Sequence, residues 1–123
     1  MSDVEYVVQP QGELDIASVP ALRTEWLQIV DEKQPDLFVV DLRDVTYLDS
    51  TALGAFVAVR KHQERHGGGV IVMNAEPRLA KLFEMTGLAD LLHVNQTDEH
   101  HGQDGFANGI HQWNQIRRRV PDE

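Results

Sequence analysis

The stretch Leu37–Gly54, LFVVDLRDVTYLDSTALG, decides how the rest of the chain is read. Leu37–Leu42 is a nearly continuous apolar run. Such a run fits a strand covered on both faces, the pattern of parallel strands. The loop Asp44–Thr51 follows and leads to Asp49-Ser50-Thr51, and a helix is predicted over Ala52–His66. In it Leu53, Phe56, Val57 and Arg60 keep helical spacing. The first amides of a helix lack internal partners and lie at the positive end of its dipole, so that end accepts an anion. A hydroxyl at this position can cap the helix. It can also carry a phosphate without breaking the helix, because free amides can bind the new oxygens. Asp49 or Ser50 as a simple cap is the plainer reading of these three residues, since such residues are common at helix starts.

Working outward, Gly67-Gly68-Gly69 stops the helix, and Val70–Met73 is another buried strand. Pro77 begins a short helix with Leu79, Leu82 and Phe83 inward and Gly87 at its end, and Leu91–Val94 reads as a last strand. On the amino-terminal side, Val4–Gln9 is a strand rich in β-branched and aromatic residues. Pro10-Gln11-Gly12 is a turn signal and Glu13–Ile16 a second strand, which together predict an N-terminal hairpin. Ser18 and Pro20 open a helix carrying the apolar stripe Leu22, Trp26, Ile29 and Val30, and Pro35 ends it. The order β-β-α-β-α-β-α-β implies right-handed crossovers in a mixed, mainly parallel sheet, an α/β fold. Residues 95–109 form a polar, Gly-rich linker. Phe106, Ile110, Trp113, Ile116 and Val120 then predict an amphipathic helix over about 106–120 that packs back on the sheet. The whole chain, 1–123, is expected to be one domain with a core at 4–94 and about four helices.

Composition narrows the function. The chain has 20 acidic and 11 basic residues and a net charge of −9. That excess lies in residues 1–100, because residues 101–123 are balanced. An acidic body opposes nucleic acid and anionic membrane surfaces. The absence of cysteine excludes disulfides, thiolate metal sites and cysteine nucleophiles. No apolar run approaches the roughly 18–20 residues of a membrane span, and MSDVEYVV lacks the features of a signal peptide. A cytoplasmic protein is expected.

Three motifs invite chemistry and are set aside. His93, His100, His101 and His111 have no metal-ligand spacing, so no metal is expected. Gly67–Gly69 precedes a strand and lacks a following Lys-Ser/Thr, so it is no phosphate loop. Arg117–Arg119 complements a helix C-terminus. Ser50 has no nucleophile elbow around it. His62 and His66 lie about 18 and 24 Å along the helix from Ser50 at 1.5 Å per residue, too far to act as its base. A phospho-aspartate receiver would need acidic residues after the first strand, where the chain has Gln9-Pro10. No enzyme and no cofactor is expected.

GELDIASVPAL (Gly12–Leu22), VVDLRDVTYLDSTALGAFV (Val39–Val57) and GGGVIVMNAEPRLAKLFEMTGLADLL (Gly67–Leu92) stand in order. Together they resemble the STAS domains of bacterial anti-sigma factor antagonists over roughly residues 4–94. The resemblance implies a STAS fold and a non-enzymatic regulator. It also implies a phosphoacceptor at the Ser directly after the Asp, here Ser50, with Thr51 as runner-up. The implied partners are an anti-sigma factor serine kinase, which holds the ATP, and a phosphoserine phosphatase. The free protein would be a monomer. Asp15, Val45, Tyr47, Asp49, Ser50, Thr51 and Leu53 are the implied contact residues, with Val45 and Tyr47 as exposed apolar contacts. Ala52 departs from the Gly common in that family, and Ala favours helix by about 0.8–1 kcal/mol. The alternative is a STAS scaffold subunit of a stress-sensing or lipid-transport complex, without a phospho-switch.

Overall fold

The computed structural model describes residues 4–96. In chain order they form β1 (Glu5–Val8), β2 (Gly12–Leu14), α1 (Val19–Lys33), β3 (Leu37–Asp41), β4 (Val45–Leu48), α2 (Ser50–Glu64), β5 (Gly69–Ala75), α3 (Pro77–Met85) and β6 (Val94–Gln96). β3 and β5 are buried at every residue. They form the middle of a four-stranded sheet of order β1-β3-β5-β6. Its three ladders are all parallel. The register sets Leu37 between Glu5 and Gly69, and Val39 between Val7 and Ile71.

Alternation along the strands gives the sheet two apolar faces. On one, Phe38, Val40, Val70 and Val72 pack with Trp26 and Val30 of α1, Phe56 and Val59 of α2, and Leu79 and Phe83 of α3. A row of rings runs through this layer. Trp26 meets Phe38 edge-on at 6.0 Å and stacks on Phe56 at 5.8 Å, and Phe56 stacks on Phe83 at 5.9 Å. On the other face Leu37, Val39, Ile71 and Met73 form a separate buried cluster, with Val7 packed against it.

The α/β architecture and its parallel core follow the sequence reading, with three corrections. β1 and β2 do not form a hairpin: β1 pairs with β3, while β2 pairs in parallel with β4 as a separate two-stranded sheet. Gly12, at φ 78°, adopts the left-handed conformation that suits glycine, and its N–H donates to the Asp44 carbonyl at 2.9 Å. The Pro-Gln-Gly signal therefore marks a change of sheet, and no ladder within 4–96 is antiparallel. Second, part of the expected loop 44–51 is β4, whose end residues Val45 and Leu48 are buried and whose middle is exposed. Third, the last strand begins at Val94, because residues 91–93 turn through a left-handed His93 at φ 51°. Asn95 and Gln96, expected in the linker, belong to β6. The remainder of the linker and the helix expected at 106–120 lie outside the described residues.

Glu5 shares its position across the sheet with Leu37. Its Oε2 is buried without a hydrogen-bond partner among the described residues, and burial raises the carboxyl pKa above its ordinary 4.5. A raised folded-state pKa means that folding favours the protonated acid. The contribution is fully present below the unfolded value and is lost as pH rises through the folded one. Glu5→Gln is therefore expected to melt above the wild-type chain at pH 7, with the gap closing as pH falls to about 4. A calorimetric gap that is the same at both pH values would contradict this.

Candidate functional site

The start of α2 is capped by Asp49. Its backbone is extended (φ −119°, ψ −174°), and its Oδ1 accepts from the Ala52 N–H at 3.2 Å. Such a cap contributes about 1 kcal/mol. With Asp49 in that role, Ser50 occupies the first helical position and is exposed. Its hydroxyl is not the cap, so a group added to it would leave the cap in place. Thr51 is half-buried and lines an open cleft between the amino-terminal halves of α1 and α2, together with Arg23, Thr24 and Gly54.

The flanks of Ser50 are built by β2 and β4. The Asp49 N–H donates to the Leu14 carbonyl at 3.2 Å, which fastens the helix start to the end of β2. After Leu14 the chain turns on Asp15, whose Oδ1 accepts from the Ala17 N–H at 3.0 Å and the Ser18 N–H at 3.2 Å. The Ser18 hydroxyl donates to the Glu13 carbonyl at 2.8 Å. Ser18 thus closes this turn and makes no side-chain cap on α1, contrary to the sequence reading. The turn lifts Ile16 to 74% exposure, and Tyr47, opposite Glu13 in the β2–β4 register, is 50% exposed. On α3, Arg78 donates from Nη2 to the Thr46 carbonyl at 3.1 Å and pairs with Glu76, which holds the outer edge of β4.

Of the predicted site residues, Asp15, Tyr47, Asp49, Ser50 and Thr51 come together around the start of α2. Val45, expected as an exposed contact, is 2% exposed and joins the core, because it begins a strand whose inward residues meet Leu14 and Leu48. Leu53 is buried with it and supports the helix from below. Asp15 spends its carboxylate on its own turn. Ile16 was missed as a surface residue: alternation from Glu13 points it inward, but the strand ends at Leu14 and the turn reverses it. The helix carries His62 and His66 to its far end, where His62 Nδ1 lies 3.2 Å from Asp31 Oδ1 and His66 Nε2 lies 2.9 Å from the Pro35 carbonyl. Neither is placed to activate Ser50.

Residues 2–101 match the family model for the STAS domain. The chain belongs to the STAS family. Within it, the chain is 37% identical over 97 residues to an anti-sigma-B factor antagonist of Staphylococcus aureus, covering 79% of this chain and 89% of that one. A solved STAS structure, an anti-sigma factor antagonist from Mycobacterium paratuberculosis, superposes with a TM-score of 0.68 at 26% identity, over 81% of this chain and 84% of that one. The STAS domain of a SulP transporter from Vibrio cholerae has the same fold, with a TM-score of 0.65 at 16% identity over 81% of this chain and 79% of that one. No helix among the described residues is long and apolar enough to cross a membrane.

Proposed function

We propose that this STAS protein is an anti-sigma factor antagonist switched at Ser50. The unmodified protein binds an anti-sigma factor that is also a serine kinase, and so frees the sigma factor. Phosphorylation of Ser50 dissolves the complex, and a phosphatase resets it. The observation that supports this most is an exposed serine at the first position of a helix whose cap is supplied by its neighbour. The name shared by the 37%-identical relatives supports it independently.

The physics of the site suits such a switch. Exposed Ile16 and Tyr47, on the β2–β4 edge beside the helix start, offer apolar contact near an accessible hydroxyl. A phosphoserine adds about −1.5 to −2 charge at pH 7. The dianion would enter a neighbourhood that already holds Asp49, the cap of α2, and Asp15, just past the end of β2 to which the helix start is fastened. Its need for hydration opposes a dry interface at a cost of several kcal/mol. The dipole and first-turn amides of α2 favour the phosphate within the protein itself, so release needs no refolding.

The test is to incubate the purified chain with ATP and the anti-sigma kinase encoded in the same genome, then map phosphate by mass spectrometry. Phosphate is expected on Ser50 and is expected to vanish in Ser50→Ala. Phosphate confined to Thr51 would move the switch one residue. A complex indifferent to ATP would favour the scaffold reading.

A further inference from the structure

The cleft between the amino-terminal halves of α1 and α2 has a volume of about 480 Å³, and Arg23, Thr24, Thr51 and Gly54 are among its walls. No acidic residue lines it among the described residues, in a chain of net charge −9. Arg23 is exposed, and its guanidinium makes no ion pair or hydrogen bond among the described residues. Gly54 stands inside α2, one turn after Ser50, and is also exposed. Glycine inside a helix is disfavoured relative to alanine. Its backbone here is not left-handed, and an added Cβ would meet nothing within 4 Å. Packing among the described residues therefore does not call for glycine at this position. We propose that the cleft is the socket for one acidic side chain, Asp or Glu, of the anti-sigma kinase. The kinase chain lies against the bare α2 backbone at Gly54, and Arg23 takes the carboxylate. This rests on the antagonist reading and specifies how its partner is recognised.

Charge, shape and position select this occupant. α2 carries no acidic residue before its last, Glu64, and the helical face that starts with Ser50 and Gly54 continues to exposed Lys61. On α1, Glu25 is two residues from Arg23 and so lies round the helix from it. A net-acidic surface repels an acidic segment elsewhere and steers it to this cationic face. An arginine fork suits a carboxylate, which it can hold through two parallel bonds. The missing side chain at position 54 lets a second backbone approach closely. Thr51 joins the cleft to the switch residue beside it. A phosphate on Ser50 would stand about 6 Å along the helix from Gly54. Its dianion would then face the incoming carboxylate. The modification thus expels the partner by like charge at the socket while the fold is left intact.

The test titrates full-length variants with the purified anti-sigma kinase in ADP, which prevents phosphorylation. Arg23→Glu is expected to lose about tenfold or more in affinity with an unchanged circular-dichroism spectrum, and Arg23→Lys to recover part of the loss. Gly54→Ala is expected to melt about 2–6 °C higher and yet to bind about tenfold more weakly. A merely structural glycine cannot give that pair of results. Reversal of one kinase carboxylate to lysine is expected to restore binding to Arg23→Glu, which marks the occupant. Wild-type affinity in either Arg23→Glu or Gly54→Ala would overturn the proposal, as would a lower melting temperature for Gly54→Ala. A loss in Arg23→Glu that appears only with a non-hydrolysable ATP analogue would make the nucleotide phosphate the occupant and overturn it too. A wild-type chain that does not bind the kinase would overturn the antagonist reading and the socket with it. Variants that bind as the wild type does overturn the socket alone.

Discussion

Ser50→Asp is expected to keep the circular-dichroism spectrum of the wild-type chain and to lose about a hundredfold in affinity for the anti-sigma kinase. A hundredfold corresponds to about 2.7 kcal/mol. The two halves of this expectation have separate causes. The fold survives because Asp49 holds the cap and position 50 is exposed. A carboxylate in the first turn of a helix is also favoured by the dipole, by about 0.3–1 kcal/mol. Affinity falls because a charge appears at an exposed position of the surface proposed to dock. Desolvating an unpaired charge costs more than the loss requires. Isothermal calorimetry with the purified kinase measures the affinity. Binding at wild-type strength would show that charge at this position does not control docking. Loss of the helical spectrum would show that the effect is not local.

The second large effect is expected far from Ser50, at the end of α2. Gly67-Gly68-Gly69 contains two glycines required for different reasons. Gly67 sits at φ 83°, in the left-handed region. Gly68 has an ordinary backbone, but a Cβ there would stand 2.7 Å from the Pro35 carbonyl oxygen and 2.8 Å from Gln63 Nε2. Neither neighbour can retreat cheaply. Gln63 is fully buried, and its Nε2 donates to the carbonyls of Pro35 at 3.0 Å and Gly69 at 2.8 Å. These bonds tie the end of α2 to the chain entering β3 and β5. Gly68→Ala must break or stretch them, and overpacking of this kind costs about 1–3 kcal/mol. Denaturant unfolding is expected to show a lower midpoint with unchanged slope. A midpoint at the wild-type value would mean that the α2–β5 junction yields more easily than its geometry indicates.

Much of this fold could be read from the chain because its strongest signals are local. The apolar runs of β3 and β5 are long enough to declare themselves as buried strands. Pro20 and Pro77 lie in the first turns of α1 and α3. What could not be read depends on pairing over distance. Nothing local in Val45-Thr46-Tyr47-Leu48 distinguishes a short strand from a loop, because its two exposed middle residues break the alternation that marks a strand. Pro10-Gln11-Gly12 carries the composition of a hairpin turn. Whether the next strand returns to β1 or leaves for β4 is decided by a partner more than thirty residues away. Asp41 was hidden in an apolar run. It is fully buried and accepts from Arg43, two residues on, at 2.9 Å and from Asn74 of β5 at 3.0 Å. At the site, Ser50 was legible because a helix start is a local event. Val45 was expected at the surface and is buried, and Ile16 was passed over, since burial there follows from β2 and β4 as a pair.

Parallel pairing also sets the order in which the molecule can assemble as it is synthesised. Glu5–Val8 meets its partner only when Leu37–Val40 has left the ribosome, and Gly12–Leu14 must wait for Val45–Leu48. Until then no native ladder can form, and the nascent chain presents EYVV with both edges open. Charged residues beside such a segment discourage pairing with other chains, and Asp3 and Glu5 stand there. A carboxylate that weakens the finished protein at neutral pH thus protects the unfinished one.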